Sequence, residues 1–222
     1  MIVATENDTV YSLDAHDGHV LWQDTVGAPL THVAAMTGCG DIDPIGVTST
    51  PAVDPATGTI YVVAEEATPR VHLQLLGVDA ETGAVTVSAN ADPPAAQQDP
   101  IHIQQRQALA VANGRVYIGY GGFDGDCGTY HGWVVSLTEH GGAPLSFDAT
   151  PHTQQGAIWS TGGPAIDAQG NIYESTGNPD PDVRTGDYGE SVLKLPPSSP
   201  RRRRGEPQRQ VSPRDEVSPG GR

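Results

Sequence analysis

The stretch TPAVDPATGTIYVVAEE, Thr50–Glu66, decides how the chain is read. A short apolar run leads into a turn over Asp54–Gly58, and a longer run rich in Val, Ile and Tyr follows. Gly58 supplies the positive φ that closes such a turn, and alternating β-branched and aromatic residues suit a pleated sheet. The pattern returns twice. Gly58–Tyr61, Gly114–Tyr117 and Gly170–Tyr173 read GTIY, GRVY and GNIY, with the glycines 56 residues apart both times. Each copy follows a short apolar strand and precedes a loop and a further strand, in LQLLGVDAETGAV, GWVVSLTEHGGAP and ESVLKLPPSS. NDTVYSLDAHDGHVLW, near the start, supplies the same ending once more.

A recurring unit of four short strands is one blade of a β-propeller. The expected fold is all-β: a partial propeller of about three to four four-stranded blades, with strands A (inner) to D (outer). The expected blades span approximately 1–27, 47–91, 104–149 and 157–195, and a disordered tail covers 196–222. The 27 Gly and 19 Pro among 222 residues favour many turns over a helical bundle. No apolar run reaches the ~18 residues of a membrane span, and Met1 leads straight into strand-like sequence rather than a signal peptide.

Charge is unevenly spread. The formal net charge is -15, yet residues 1–195 hold five basic against 24 acidic side chains, while 196–222 hold seven Arg against three acids. An acidic body repels phosphate backbones, so nucleic acid is not an expected partner. The run RRRRG at Arg201–Gly205 could meet an anionic surface, but its surroundings offer almost nothing apolar to bury, and an unstructured end is expected.

One motif narrows the family. SLDAHDGHVLW places Ser12, Asp14, Gly18 and Trp22 at the spacing of the tryptophan-docking motif. This resembles the pyrroloquinoline-quinone (PQQ) repeat propellers, quinoprotein-like β-propellers of bacterial secreted proteins. Asp14 and Gly18 would close the C–D hairpin, and Trp22 would lie against a neighbouring blade with its N–H free for a carbonyl. Later copies are degenerate: Gly77, Asp79, Gly83 and Val87, then Ser136, Thr138, Gly142 and Ser146. Related larger families are the quinoprotein alcohol dehydrogenases and the outer-membrane assembly lipoprotein of the Bam complex. Their propellers close a full ring, so the resemblance implies a fragment of about half of one. Met1 falls where the second strand of a blade is expected to be under way already, its inner strand missing. The Arg, Pro, Ser and Gly of 196–222 stand where another strand is expected, a composition that a frameshifted reading would give.

In a propeller the B–C loops and D–A connections share one face. Cys39, in a D–A connection, and Cys127, in a B–C loop, therefore meet on adjacent blades. A disulfide, which needs an oxidising compartment, is one reading. A reactive thiol is the other, although Asp124 and Asp126 would raise rather than lower its pKa. The same face carries Arg106, His131, Trp159 and Asn178: a cation, an imidazole, a stacking platform and an amide around the mouth of the channel. The plainer reading packs Trp159 between blades, pairs Arg106 with an acid and bonds His131 to a loop carbonyl. Asp41, Asp43, Asp124, Asp126, Asp180, Asp182 and Asp187 also lie there, as calcium ligands or as ordinary acidic turns.

No catalytic residue and no metal ligand is assigned. PQQ and Ca2+ are implied by the resemblance only, and the adjacent-cysteine pair of the quinoprotein dehydrogenases is absent from the sequence. The expected function is a non-catalytic, ligand- or protein-binding scaffold from an extracytoplasmic parent, periplasmic or secreted. One alternative is part of a PQQ-dependent dehydrogenase oxidising alcohols or sugars. Another is an envelope protein-assembly scaffold. The expected partners are an unknown ligand or envelope protein, and the missing blades or a further copy of the chain.

Overall fold

A computed structural model describes residues 1–94, 100–182 and 184–197, so the expected tail lies almost wholly outside the described residues. Among the described residues five antiparallel sheets form, of which four, I to IV, follow one another along the chain and the fifth is a two-stranded ribbon beside sheet IV. Sheet I holds β1 (Ile2–Ala4), β2 (Thr9–Leu13) and β3 (Val20–Thr25). A five-residue helix, α1 (Val33–Thr37), sits in the connection to sheet II, which holds β4 (Ala52–Asp54), β5 (Thr59–Glu66), β6 (His72–Asp79) and β7 (Val85–Asn90). Sheet III holds β8 (Ala110–Ala112), β9 (Arg115–Tyr120), β10 (Trp133–Thr138) and β11 (Leu145–Asp148). Sheet IV follows with β13 (Ala165–Ile166), β14 (Ile172–Ser175) and β16 (Val192–Leu195), and beside it β12 (Gln155–Ala157) pairs with β15 (Gly177–Pro179). Each sheet is a meander in chain order. The chain is all-β, a partial propeller with, among the described residues, two four-stranded, two three-stranded and one two-stranded sheet.

Both faces of each inner sheet are buried, each against a different neighbour. Along β5, Ile60, Val62 and Ala64 pack with Val10, Ile2 and Ala4 of sheet I. The intervening Tyr61 and Val63 pack with Val116, Ile118, Tyr120, Trp133 and Val135 of sheet III. Sheet III repeats the arrangement: Tyr117 and Val134 point the other way, onto Ile172, Leu193 and Leu195 of sheet IV. Period-two alternation thus builds three separate cores rather than one sandwich. Each fully buried Val or Leu contributes roughly 1.5–3 kcal/mol, so the stacking is held mainly by these side chains.

Polar contacts fix the register between sheets. Trp22 Nε1 donates to Ala80 O at 3.0 Å, on the β6–β7 turn of the next sheet. Its ring covers Gly83 (φ +80), where an added Cβ would lie 2.9 Å from the indole. One repeat later Val87 and Ala89 cover Gly141 in the same way. The repeated tyrosine reaches the equivalent turn carbonyl: Tyr61 OH donates to Glu139 O at 3.0 Å, and Tyr117 OH to Pro197 O at 3.1 Å. Trp22→Ala removes both a half-buried ring and a hydrogen bond. It should destabilise the chain by about 2 kcal/mol, toward the low end for a large-to-small change because the ring is only half buried. Urea unfolding measures this, and a change below about 0.5 kcal/mol, the level of an ordinary surface substitution, would mean that the ring does not hold sheet I to sheet II.

Candidate functional site: the disulfide-tied loop face

The β1–β2, β5–β6, β9–β10 and β14–β16 loops leave the same end of the sheets as the connections between sheets. α1 lies in the first such connection. His32 before it and Gly38 after it both adopt left-handed backbone, which limits the helix to little more than one turn. Val33 is buried with Leu30, Ile45 and Phe123, so this connection rests on the β9–β10 loop of sheet III. Cys39 and Cys127 are joined as a disulfide, with Cα atoms 6.0 Å apart across a sequence separation of 88. Gly40 N–H also donates to Asp124 O at 3.0 Å. The reactive-thiol reading is thereby set aside.

Asp126, next to Cys127, organises the surface beside the disulfide. Its Oδ1 accepts from the Tyr130 hydroxyl, and its Oδ2 accepts from Asn178 Nδ2 at 2.7 Å. Burial, reinforced by the Asp126 carboxylate, pushes the Tyr130 hydroxyl far above the ordinary tyrosine range. Asp126 (φ 50) and Asn178 (φ 45) both sit in left-handed backbone, which Asp and Asn tolerate better than most residues. Trp159 is half buried, and its Nε1 lies 3.6 Å from where a side chain on Gly177 would begin. Trp159 and Asn178 are thus brought near one another and to the disulfide loop.

The other two expected face residues stand apart. Arg106 is exposed and forms no ion pair among the described residues. His131 is buried between strands, with Nδ1 3.2 Å from Asp148 Oδ1. Asp187 is also turned inward: it accepts from the backbone N–H of His152 and Arg184 and from the Thr153 hydroxyl, a structural use of a carboxylate. The Gln155 stretch forms the β12–β15 ribbon, and the inner strand of sheet IV begins later, at Ala165.

Sequence reasoning did not find the most perturbed groups. Asp8 and Glu65 are buried, and none of their four carboxyl oxygens has a hydrogen-bond partner among the described residues. Burial, with Glu66 and Glu6 nearby, raises Asp8 to about 7. Burial, with Glu6, Asp8 and Asp92, holds Glu65 well above the carboxylate range. Glu174 is raised to about 7 by burial, opposed by the hydrogen bond it accepts from Gln107 Nε2. The signal in the sequence was an acid within a strand, Glu65 in β5 and Glu174 in β14, where the pattern calls for an apolar residue.

The side chains present do not suit PQQ with calcium. Among the described residues, the one group of three metal-type ligands is Asp14, Asp17 and His19, on the β2–β3 turn at the opposite end of the sheets. Asp126 and Asn178, the acid and amide beside Trp159, are engaged with each other. Successive radial sheets, inter-sheet tryptophan docking and a loop face on one end define a propeller of the PQQ-repeat class. A family model described as outer membrane protein assembly factor BamB matches residues 1–201, and the chain belongs to that family. No curated protein matches it.

Proposed function

We propose that the chain is a non-catalytic scaffold of an extracytoplasmic propeller and that its disulfide-tied loop face binds an envelope protein. One observation carries this reading. The Cys39–Cys127 bond joins the connection between sheets I and II to a loop of sheet III, and beside it stand Asp126, Asn178 and Trp159. A covalently pinned loop presents its side chains with less ordering entropy to lose on binding. The disulfide also fits an oxidising compartment, and the BamB description of the family supports a role in protein assembly.

The test is capture from envelope extracts by the oxidised chain, compared with Trp159→Ala and Asp126→Ala. The expected result is a partner held by the parent chain and lost, or at least tenfold weakened, in both variants, in keeping with removal of central contact residues. A partner retained equally by all three would place the binding surface elsewhere. Dye reduction by alcohols or sugars after addition of PQQ and calcium would replace this reading with a dehydrogenase.

A further inference from the structure

Glu174 departs from the repeat. The residue after the repeated tyrosine is Val62 in sheet II and Ile118 in sheet III, both fully buried, and in sheet IV it is an acid, 3% exposed. Further departures meet it there. Gly119 stands in β9 where Val63 stands in β5, and the buried Gln107 runs its amide into the space this leaves. A Cβ on Gly119 would lie 2.0 Å from Gln107 Oε1 and 2.7 Å from Ile158 Cγ2. Gln105 fixes the backbone beside it, its Nε2 donating to Gln107 O at 2.7 Å and to Gly119 O at 3.3 Å. Gln107 Nε2 then crosses from sheet III to donate to Glu174 Oε2. Apolar positions on both sheets have been exchanged to seat one polar pair.

As carboxylate and amide, the pair is incomplete. Gln107 Oε1 and Glu174 Oε1 are both sealed from solvent, and neither has a hydrogen-bond partner among the described residues. Gln105 Oε1 is a third acceptor in the same state, so the seam lacks a donor rather than an acceptor. An ionised carboxylate has no proton to offer, whereas a protonated one has a single O–H. A planar acid and a planar amide already joined by one N–H···O bond can bring their remaining oxygens side by side, so one proton on Glu174 satisfies both.

We propose that Glu174 is held as the neutral acid, its Oε1–H donating to Gln107 Oε1, and that this proton latches sheet IV to sheet III. Ionisation breaks the second bond and leaves a charge in a seam whose apolar residues include Tyr117, Ile158 and Ile172. The joint then opens locally, together with the ribbon at Gly177 and Asn178, which β14 enters through Thr176. The titratable and charged groups on the surrounding elements are engaged elsewhere or turned outward. On β9, Tyr117 donates to Pro197 O and Arg115 to Ser136 O and Ala143 O, and Arg106 beside Gln107 is exposed. On the far face of sheet IV, Tyr173 and Lys194 meet Asp167. Before β16, Asp187 accepts from His152 N–H, Tyr188 packs on Phe147, and Glu190 is exposed. Burial raises Glu174 to about 7, which sets the latch to open toward neutrality. In the opened joint the solvated acid titrates in the ordinary range, so from about pH 4.5 to 7 only the closed joint keeps its proton.

Hydrogen exchange at peptide resolution on the oxidised chain tests this. Protection in residues 104–109 and 172–179, corrected for intrinsic rates, should fall about tenfold per pH unit from about pH 5 to 7 and then level off. Glu174→Gln keeps the acceptor and supplies a permanent N–H donor. In this variant the same segments should lose at least about tenfold less over that window, while β2 and β5, which carry or adjoin Asp8 and Glu65, respond as in the parent. Glu174→Val restores the residue of the Val62 position and also removes the titration. It should show the same flat profile from a lower start, and it carries the comparison if the glutamine variant does not fold. Equal protection of the two segments at both ends of the window in the parent overturns the proposal. So does a loss in the parent that a folded variant reproduces in full. Neither outcome bears on the loop-face partner, which is read by capture.

Discussion

Between pH 4 and pH 7 the folded chain should lose several kcal/mol of stability, and the part of the loss carried by Asp8 and Glu174 should level off above about pH 7. Asp8 and Glu174 are each raised to about 7 in the fold, and Glu65 is raised well above its ordinary value, in every case chiefly by burial. In the unfolded chain these groups titrate near the ordinary carboxylate range. Across the window between, the folded state holds protons that the unfolded state has released, so stability falls as pH rises. A shift of about three units corresponds to roughly 4 kcal/mol for Asp8, an upper figure, since water entering the seam would lower it. Asp167 works in the opposite sense. Hydrogen bonds from Asn171 and other donors hold it at about 2, so its contribution is present at pH 4 and is lost only below that. Maximum stability is therefore expected near pH 4 rather than near neutrality.

Urea unfolding at pH 4, 5.5, 7 and 8.5, at one protein concentration, measures the curve. Asp8→Asn keeps the shape of the neutral acid and removes its titration. It should match the parent at pH 4 to within about 1 kcal/mol and exceed it by about 2–4 kcal/mol at pH 8.5, with the margin set by how far the seam can hydrate. A parent curve that is flat or rising from pH 4 to 7 would show that the buried carboxyls are ionised and solvated, and that the seam between sheets I and II is wet.

The architecture was legible because it rests on local chemistry repeated at a fixed interval. Gly58, Gly114 and Gly170 all adopt the left-handed backbone that a hairpin turn requires, and the Val, Ile and Tyr runs after them alternate between two buried faces. Helix α1 was not legible. Five residues give no helical periodicity, and its place is set by Val33 packing on Phe123 and by the disulfide, contacts between segments far apart in sequence. The β12–β15 ribbon escaped for a related reason: two three-residue strands flank the inner strands of sheet IV, and neither carries an alternating run.

The face residues divide along the same line. Topology alone puts Cys39, Cys127, Trp159 and Asn178 at one end of the sheets. The direction of a side chain depends on packing, which is how His131 comes to be buried against Asp148 while Arg106 stays exposed. Asp126 was noted only as one of many acids. Its use became visible through its two hydrogen-bond donors, Tyr130 and Asn178, the second 52 residues away.

Reduction of the Cys39–Cys127 bond, or its replacement by serines, should destabilise the chain by about 4–5 kcal/mol on the chain-entropy account, which ties the effect to the size of the closed loop. The loop here spans 88 residues and encloses the whole of sheet II, so the oxidised unfolded chain is strongly restricted. For a chain of this size such a loss lowers the melting temperature by roughly 10–15 °C. The dependence of stability on urea should steepen as well, because an uncrosslinked unfolded chain exposes more surface. Native contacts across the bond bear on how the loss is distributed. The buried set of Leu30, Val33, Ile45 and Phe123 still joins the two loops after reduction. Hydrogen exchange should therefore rise first in α1 and in residues 121–132, with sheets II and III protected until global unfolding. Paired urea melts with and without reductant, plus exchange at peptide resolution, separate the two effects. A loss below about 1 kcal/mol would mean that the unfolded chain already keeps these loops together without the bond.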